Sequence, residues 1–195
     1  DSRNYLFKHF YNMVEIIKPK YFLMENVPNI LTANNGYFKK QILDLFNKLN
    51  YSVDYKILSS YNFGVPQKRN RAFILGKKGN EKLSLPKNNS NAIVNIGDAI
   101  SDLEFLNSGE GKFKQDYKFS SKSKYQKKAR EKSGCLYNHV ATNHSDTVIK
   151  RLKMIPVGGD RSDLPKEHLT KSVYSGTWSR MLYNEPSVTI TTRFD

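Results

Sequence analysis

Cysteine is almost absent from this 195-residue chain. Its single residue, Cys135, excludes an intramolecular disulfide and any cluster of cysteine metal ligands. No apolar run approaches the length of a bilayer crossing. The opening residues, DSRNYLFKHF, hold neither an initiator Met nor the apolar core of a signal peptide. These shortages fit an intracellular location with no membrane partner, and a chain cut from something longer. What is plentiful is positive charge: 32 Lys and Arg stand against 18 Asp and Glu, a formal +14. That surplus suits a polyanionic partner, of which nucleic acid is the commonest; a merely Lys-rich soluble surface would give the same count. The excess is spread, with net charges of +8 over 1–79, +4 over 80–134 and +2 over 135–195.

Apolar periodicity divides the chain. Leu6, Phe7, Phe10, Met13, Val14 and Ile17 recur at helical spacing, so 4–18 reads as an amphipathic helix, with Asp1 or Ser2 as cap and Pro19 beyond its end. Residues 21–25 read as a buried strand, and 27–36 as a loop supplied with Pro28, Asn34, Asn35 and Gly36. A second helix is expected over 37–49, a strand over Tyr51 to Leu58, a polar loop over 59–71 and a buried strand over 72–76. This alternation is that of an α/β sheet domain, with too few strands to bury both faces of a sheet by itself. From Asn80 the texture changes. A helical turn or two is expected near 97–100, a helix over 146–155 and a strand over 187–192. Between them, 108–134 interleaves Phe113, Tyr117, Phe119 and Tyr125 with lysines. Such a stretch can track a phosphate backbone and stack on bases, or it can be a mobile solvated loop; both readings stay open.

The stretch Tyr21 to Val27, YFLMENV, is the first candidate site. It runs an acid, Glu25, to the carboxyl end of a strand, where open α/β sheets have their ligand crevice. Burying that carboxylate is expensive without a partner. Burial there and exposure in the loop begun by Pro28 are both open from these residues alone.

Four ordered segments carry a resemblance. DSRNYLF at 1–7, MENV at 24–27, FGVPQKRNRAFILG at 63–76 and EPSVTITTRF at 185–194 are similar, in letters, order and separation, to the D-x-R, Glu-Asn-Val, Q-x-R-x-R and P-S-x-T-I-T segments of the bacterial cytosine-5 DNA methyltransferase family. The resemblance implies an α/β fold in which 1–79 is the C-terminal part of a Rossmann-like methyltransferase sheet domain. Residues 80–185 would be an irregular α+β target recognition region that binds DNA, and 186–195 a return strand to the catalytic domain. It departs from the family in two respects: neither the Pro-Cys nucleophile segment nor the glycine-rich cofactor loop occurs in these residues. Cys135, in SGCLYN and after Glu25 in chain order, is not a substitute. The chain alone is therefore expected to be inactive.

The implied reaction is methyl transfer from S-adenosylmethionine to carbon 5 of a cytosine flipped out of double-stranded DNA. A cysteine thiolate adds to carbon 6 so that carbon 5 can attack the methyl, after which a proton leaves carbon 5 and the thiolate departs. The resemblance gives Glu25 the Watson–Crick edge of the flipped base, Arg71 a contact to that base, Arg69 support of the site or a phosphate, and Leu6 an apolar cofactor contact. Arg3 takes a structural ion-pair role and Asn26 braces the turn. If 67–71 is extended, Gln67, Arg69 and Arg71 share one side. DNA contacts are assigned to Gln67, Gly158, Gly159, Arg161, Arg180, Thr189 and Thr191, with Lys171 as a further candidate; the aromatics Tyr174, Trp178 and Tyr183 are equally readable as core. The full enzyme is expected to be a bacterial cytoplasmic monomer, paired with a cognate restriction endonuclease. The alternative is a non-catalytic DNA-binding or specificity module that works with a separate chain.

Overall fold

Helical and strand periodicities alternate through the first third of the chain, and the computed structural model folds them accordingly. It describes residues 5–89, 93–169 and 178–190. Helix α1 (Phe7–Ile17) buries Phe7 and Val14 and ends on Lys18, which takes a left-handed conformation and donates its N–H to the Val14 carbonyl. The expected caps, Asp1 and Ser2, lie outside the described residues, as does Arg3. Strand β1 (Tyr21–Asn26) follows, then helix α2 (Asn29–Lys48), strand β2 (Tyr51–Ser59) and strand β3 (Asn70–Lys78). Helix α2 is broken at 33–36, where Asn34, Asn35 and Gly36 all have positive φ. Those are the residue types that tolerate this region. The turn chemistry read from the sequence is thus an interruption within a helical segment.

The three strands form a sheet in the order β1-β3-β2, with both pairings antiparallel. β1 and β2 therefore run the same way on either side of β3. Side chains alternate across it. Phe22, Met24, Ala72 and Ile74 face a core shared with Phe7, Val14, Ile30, Leu31, Phe38, Ile42, Phe46 and Tyr51. Tyr21, Leu23 and Glu25 occupy the other face and are exposed. The strand expected over 21–25 is therefore buried on one face only, and the acid, whose burial the residues alone left open, is on the exposed face.

An aromatic cluster sets the tightest packing. The Phe22 ring lies 4.3 Å from Phe46 and 5.2 Å from Tyr51 between centroids. It also lies directly over Gly76, its partner across the β1–β3 ladder. A Cβ at Gly76 would fall 2.0 Å from a Phe22 ring carbon, so this position needs glycine because of a close approach. Residues 80–89 return to the same unit: Leu85 is buried, its N–H donates to Asp54 Oδ2 at 2.7 Å, and its carbonyl accepts from Lys56 Nζ.

By its internal packing the chain divides into two compact units, one of residues 1–63 and 69–91, the other of 64–68 and 92–195. The second contains α3 (Ile96–Ile100), β4 (Gly111–Gln115), α4 (Lys124–Arg130), β5 (Leu136–Val140) and α5 (Asp146–Met154). The Lys-rich stretch 108–134 is therefore structured. Ser123 and Gln126 form a reciprocal capping box at the start of α4. Gln126, 2% exposed, donates its amide to the Gly97 carbonyl and to Ser101 Oγ, tying α4 to α3. Asp102, equally buried, pairs with Arg130. The strand expected over 187–192 is not formed in its described part: only Ser187 makes a bridge, to Gln67. Among the described residues no helix is long and apolar enough to cross a membrane.

Gly76→Ala should destabilise the first unit by about 1–3 kcal/mol through overpacking, measured by urea denaturation. Adding Phe22→Leu, which removes the ring that the new methyl meets, should recover part of that loss.

Candidate functional site

Strand alternation sends Glu25 away from the helices, and antiparallel pairing supplies its partner. The register sets Glu25 opposite Phe73 and Asn26 opposite Ala72. Arg71 is then the diagonal neighbour of Glu25 on the same face. Its Nε lies 2.9 Å from Glu25 Oε1, while its Nη1 donates to the Asn70 carbonyl at 2.7 Å. The guanidinium is thus fixed by one backbone contact and holds one carboxylate oxygen. The Glu25 side chain remains 50% exposed and that of Arg71 21%. An ion pair this open contributes about 0–1 kcal/mol to folding. Its place at a strand end, more than its stabilisation, makes it a candidate site.

The turn behind the acid is held by the chain itself. Asn26 Oδ1 accepts the Val27 N–H at 2.8 Å. The Val27 and Pro28 carbonyls accept from Ile30 and Leu31, whose side chains are buried. Strand, Asn-braced turn and helix start therefore fix the backbone on which Glu25 stands. The Asn26 side chain thus braces the turn through its amide oxygen.

The expectation that Gln67, Arg69 and Arg71 share one extended face is corrected, because β3 begins only at Asn70. Arg69 precedes it, exposed, with its carbonyl accepting from the Ser60 N–H at 3.1 Å. Gln67 belongs to the other unit. There, Lys68 N–H donates to the Ser187 carbonyl at 2.7 Å, Ser187 N–H to Pro66, and Thr189 Oγ1 to the Lys68 carbonyl at 3.0 Å; Lys68 also pairs with Glu185. The Thr189 hydroxyl is thereby committed to tying 187–189 to 66–68. Leu6, 59% exposed, stands immediately before α1. Thr191, with Lys171 and Tyr174, lies outside the described residues.

The glycine pair is also accounted for by the protein's own packing. Gly158 has φ 83°, and a Cβ there would meet Leu182 Cδ2 at 2.9 Å; one on Gly159 would meet Asp163 Oδ2 at 2.5 Å. These neighbours within the unit disfavour a side chain at either position by themselves. Arg180 exchanges backbone hydrogen bonds with Gly158 and Gly159 and sends Nη1 to the Ile155 carbonyl at 3.1 Å. Arg161 opens a short 3-10 turn capped by Asp160, whose carboxyl is held below the usual range by the Ser162 hydroxyl and N–H. Tyr183 donates to Glu104 Oε2 at 2.7 Å, and that bond raises its hydroxyl above the ordinary value. Cys135 lies just before β5 with its thiol against the Tyr137 hydroxyl, whose pKa it raises. Among the described residues no group of three or more His, Cys, Asp or Glu is placed to hold a metal.

The family described as C-5 cytosine-specific DNA methylase matches residues 1–191. The chain belongs to this family. Type II methyltransferase M1.HphI of Haemophilus parahaemolyticus is 32% identical over 98% of the chain and 45% of its own length. Type II methyltransferase M.DdeI of Desulfomicrobium norvegicum is 36% identical over 86% of the chain and 43% of its own. The chain therefore spans less than half the length of these curated relatives. A solved structure from E. coli, a prophage-encoded protein described as a DNA modification methyltransferase, superposes with a TM-score of 0.68 at 22% identity, covering 97% of this chain and 57% of that one. That likeness supports an α/β methyltransferase fold.

Because the Glu25–Arg71 pair is open to water, Glu25→Ala and Arg71→Ala should each leave folding intact. A double-mutant cycle by chemical denaturation should give a coupling of about 1 kcal/mol or less.

Proposed function

We propose that this chain forms part of an enzyme that transfers a methyl group from S-adenosylmethionine to carbon 5 of a flipped cytosine in double-stranded DNA. The first unit would be the back half of the catalytic domain and the second would carry target recognition. The observation that supports this most is the 2.9 Å pair between Arg71 Nε and Glu25 Oε1 at the end of β1, with half the acid's surface still open.

The chemistry needs such a group. Carbon 5 of neutral cytosine is a poor nucleophile, so a thiolate must first add to carbon 6, pushing the ring electrons toward carbon 5. Negative charge then builds on ring nitrogen 3 unless a proton is shared there. A carboxyl that meets nitrogen 3 and accepts from the exocyclic amine both orients the base and relieves this charge. Arg71 engages Oε1 and so leaves Oε2 to face the base; Arg71 thereby also lies close enough to contact it. Arg69, exposed one step before β3, is suited to a backbone phosphate. The thiol is not supplied by a Pro-Cys segment of these 195 residues, and Cys135, engaged with Tyr137, is not assigned the role.

S-adenosylmethionine, the methyl donor of the family, supplies an electrophilic methyl when bound. Of the residues in this chain, Leu6 fits an apolar contact with it, being an exposed aliphatic side chain at the start of α1. In the second unit, Gln67, Arg161 and Arg180 remain DNA candidates, while Thr189, Gly158 and Gly159 shape the segments that carry them. The surplus of positive charge suits the duplex. The Type II relatives suggest a bacterial restriction-modification setting, in the cytoplasm beside a cognate endonuclease.

In the complete enzyme, Glu25→Gln should lower turnover by at least about a hundredfold while duplex affinity stays near that of the unmodified protein. Methyl transfer from labelled donor and a filter-binding assay measure the two. Near-normal methylation by that variant would remove Glu25 from the mechanism.

A further inference from the structure

The strands β4 and β5 form a two-stranded antiparallel ribbon within the stretch that the resemblance assigns to target recognition without naming the element that reads the DNA. Gly111 pairs with Val140, Lys112 with His139, Lys114 with Tyr137 and Gln115 with Leu136. One part of it is anchored within its own unit. His139 Nε2 hydrogen-bonds the Leu103 carbonyl at 3.0 Å, its ring packs edge-on against Phe105 at 5.0 Å, and Gln115 Nε2 donates to the His139 carbonyl. Gly111, with φ 104°, permits this close pairing, since a Cβ there would fall 2.2 Å from the His139 carbonyl oxygen.

The remainder of the ribbon is open. Lys112, Phe113, Lys114, Tyr137 and Asn138 are all exposed. Phe113 stands out at 70% exposure. Its ring meets Tyr137 edge-on at 6.1 Å, and Lys114 Nζ lies 5.8 Å from the Tyr137 ring. The pair contributes a modest cross-strand contact to the ribbon, yet most of the Phe113 surface faces water. The surroundings are strongly basic: residues 108–134 carry nine Lys and Arg against three Asp and Glu. That composition disfavours another basic protein surface and suits a polyanion.

We infer that the β4–β5 ribbon enters the major groove of duplex DNA. The groove, about 12 Å wide, admits a two-stranded β-ribbon, and its floor displays thymine methyls and adenine edges. Phe113 supplies the apolar surface that a thymine methyl contacts. Asn138, exposed and left-handed within β5 at φ 56°, carries an amide suited to the paired donor and acceptor of adenine. Lys112 and Lys114 lie on either side of Phe113 in sequence and reach the flanking phosphates. This assignment rests on the reading of the second unit as the DNA-facing part and names the element that does the reading.

The test uses the 195-residue chain and a fluorescein-labelled duplex of mixed sequence, followed by anisotropy over a range of salt. Phe113→Ala should weaken binding at least about fivefold with an unchanged salt slope, because no charge is lost. Lys112→Ala with Lys114→Ala should weaken binding and reduce the slope of log affinity against log salt by about 1–2. Methyl green, which fills the major groove, should displace the protein, and netropsin, which fills the minor groove, should not. Circular dichroism and thermal melting should match the unmodified chain, since the altered side chains are exposed. Unchanged affinity of Phe113→Ala, displacement by netropsin alone, or tighter binding to the single strand would overturn the ribbon assignment while leaving duplex binding by the unit standing. Failure of the unmodified chain to bind duplex at all would overturn both.

Discussion

The antiparallel register of β1 on β3 is the constraint on which the site depends. It sets Asn26 opposite Ala72 and so brings Arg71 diagonally against Glu25. A slip of one residue would turn every side chain of the strand to the other face. Phe22 and Met24 would leave the core, and Glu25 would enter it unpaired. The register is in turn held by packing: Phe22 fits over Gly76, a seat that any larger residue would fill. Core packing and site geometry are therefore one condition, expressed on opposite faces of a single strand.

Charge is used in two different ways. At the strand end it is local, since one guanidinium engages one oxygen of one carboxylate and leaves the rest of the group free. Across the second unit it is diffuse, carried by lysines around a ribbon and a short helix, as suits a polyanion felt at a distance set by ionic screening. Within that basic surface a few pairs are structural. Arg130 contacts Asp102 and stacks 3.9 Å from the Tyr117 ring centroid, so it holds α4 in place while the neighbouring lysines remain outward.

Much of this was legible in the sequence, because it follows local rules. The helix before Pro19, the strand begun at Tyr51, the apolar run 72–76 within β3 and the helix beginning at Asp146 all follow from local pattern, although 59–71 reads as loop and β3 in fact starts at Asn70. Glu25 stood out as a charge at the end of an apolar run. What stayed hidden depended on partners far along the chain. Whether Glu25 was buried could not be read without the β1–β3 register, and the shared extended face expected for Gln67, Arg69 and Arg71 failed because β3 begins only at Asn70. Two further signals lie in the sequence itself. Ser123-Lys124-Tyr125-Gln126 is a capping box that marks α4, and the alternation of Lys112-Phe113-Lys114 marks a strand with one apolar position. The roles of Gly158 and Gly159 were not legible, since their neighbours Leu182, Asp163 and Pro156 become close only on folding.

The central claim, that Glu25 held by Arg71 grips the Watson–Crick edge of the flipped cytosine, is tested most directly by a cycle across the protein and the base. Duplexes carrying either cytosine or 2-pyrimidinone at the target position, the latter lacking the exocyclic amine, would be bound by the complete enzyme and by its Glu25→Ala variant. If the carboxylate accepts from that amine, removing the amine weakens binding to the unmodified enzyme and adds little further loss in the variant. Equal losses from the amine in both proteins would contradict the account, because Glu25 would then not be the group that meets the base.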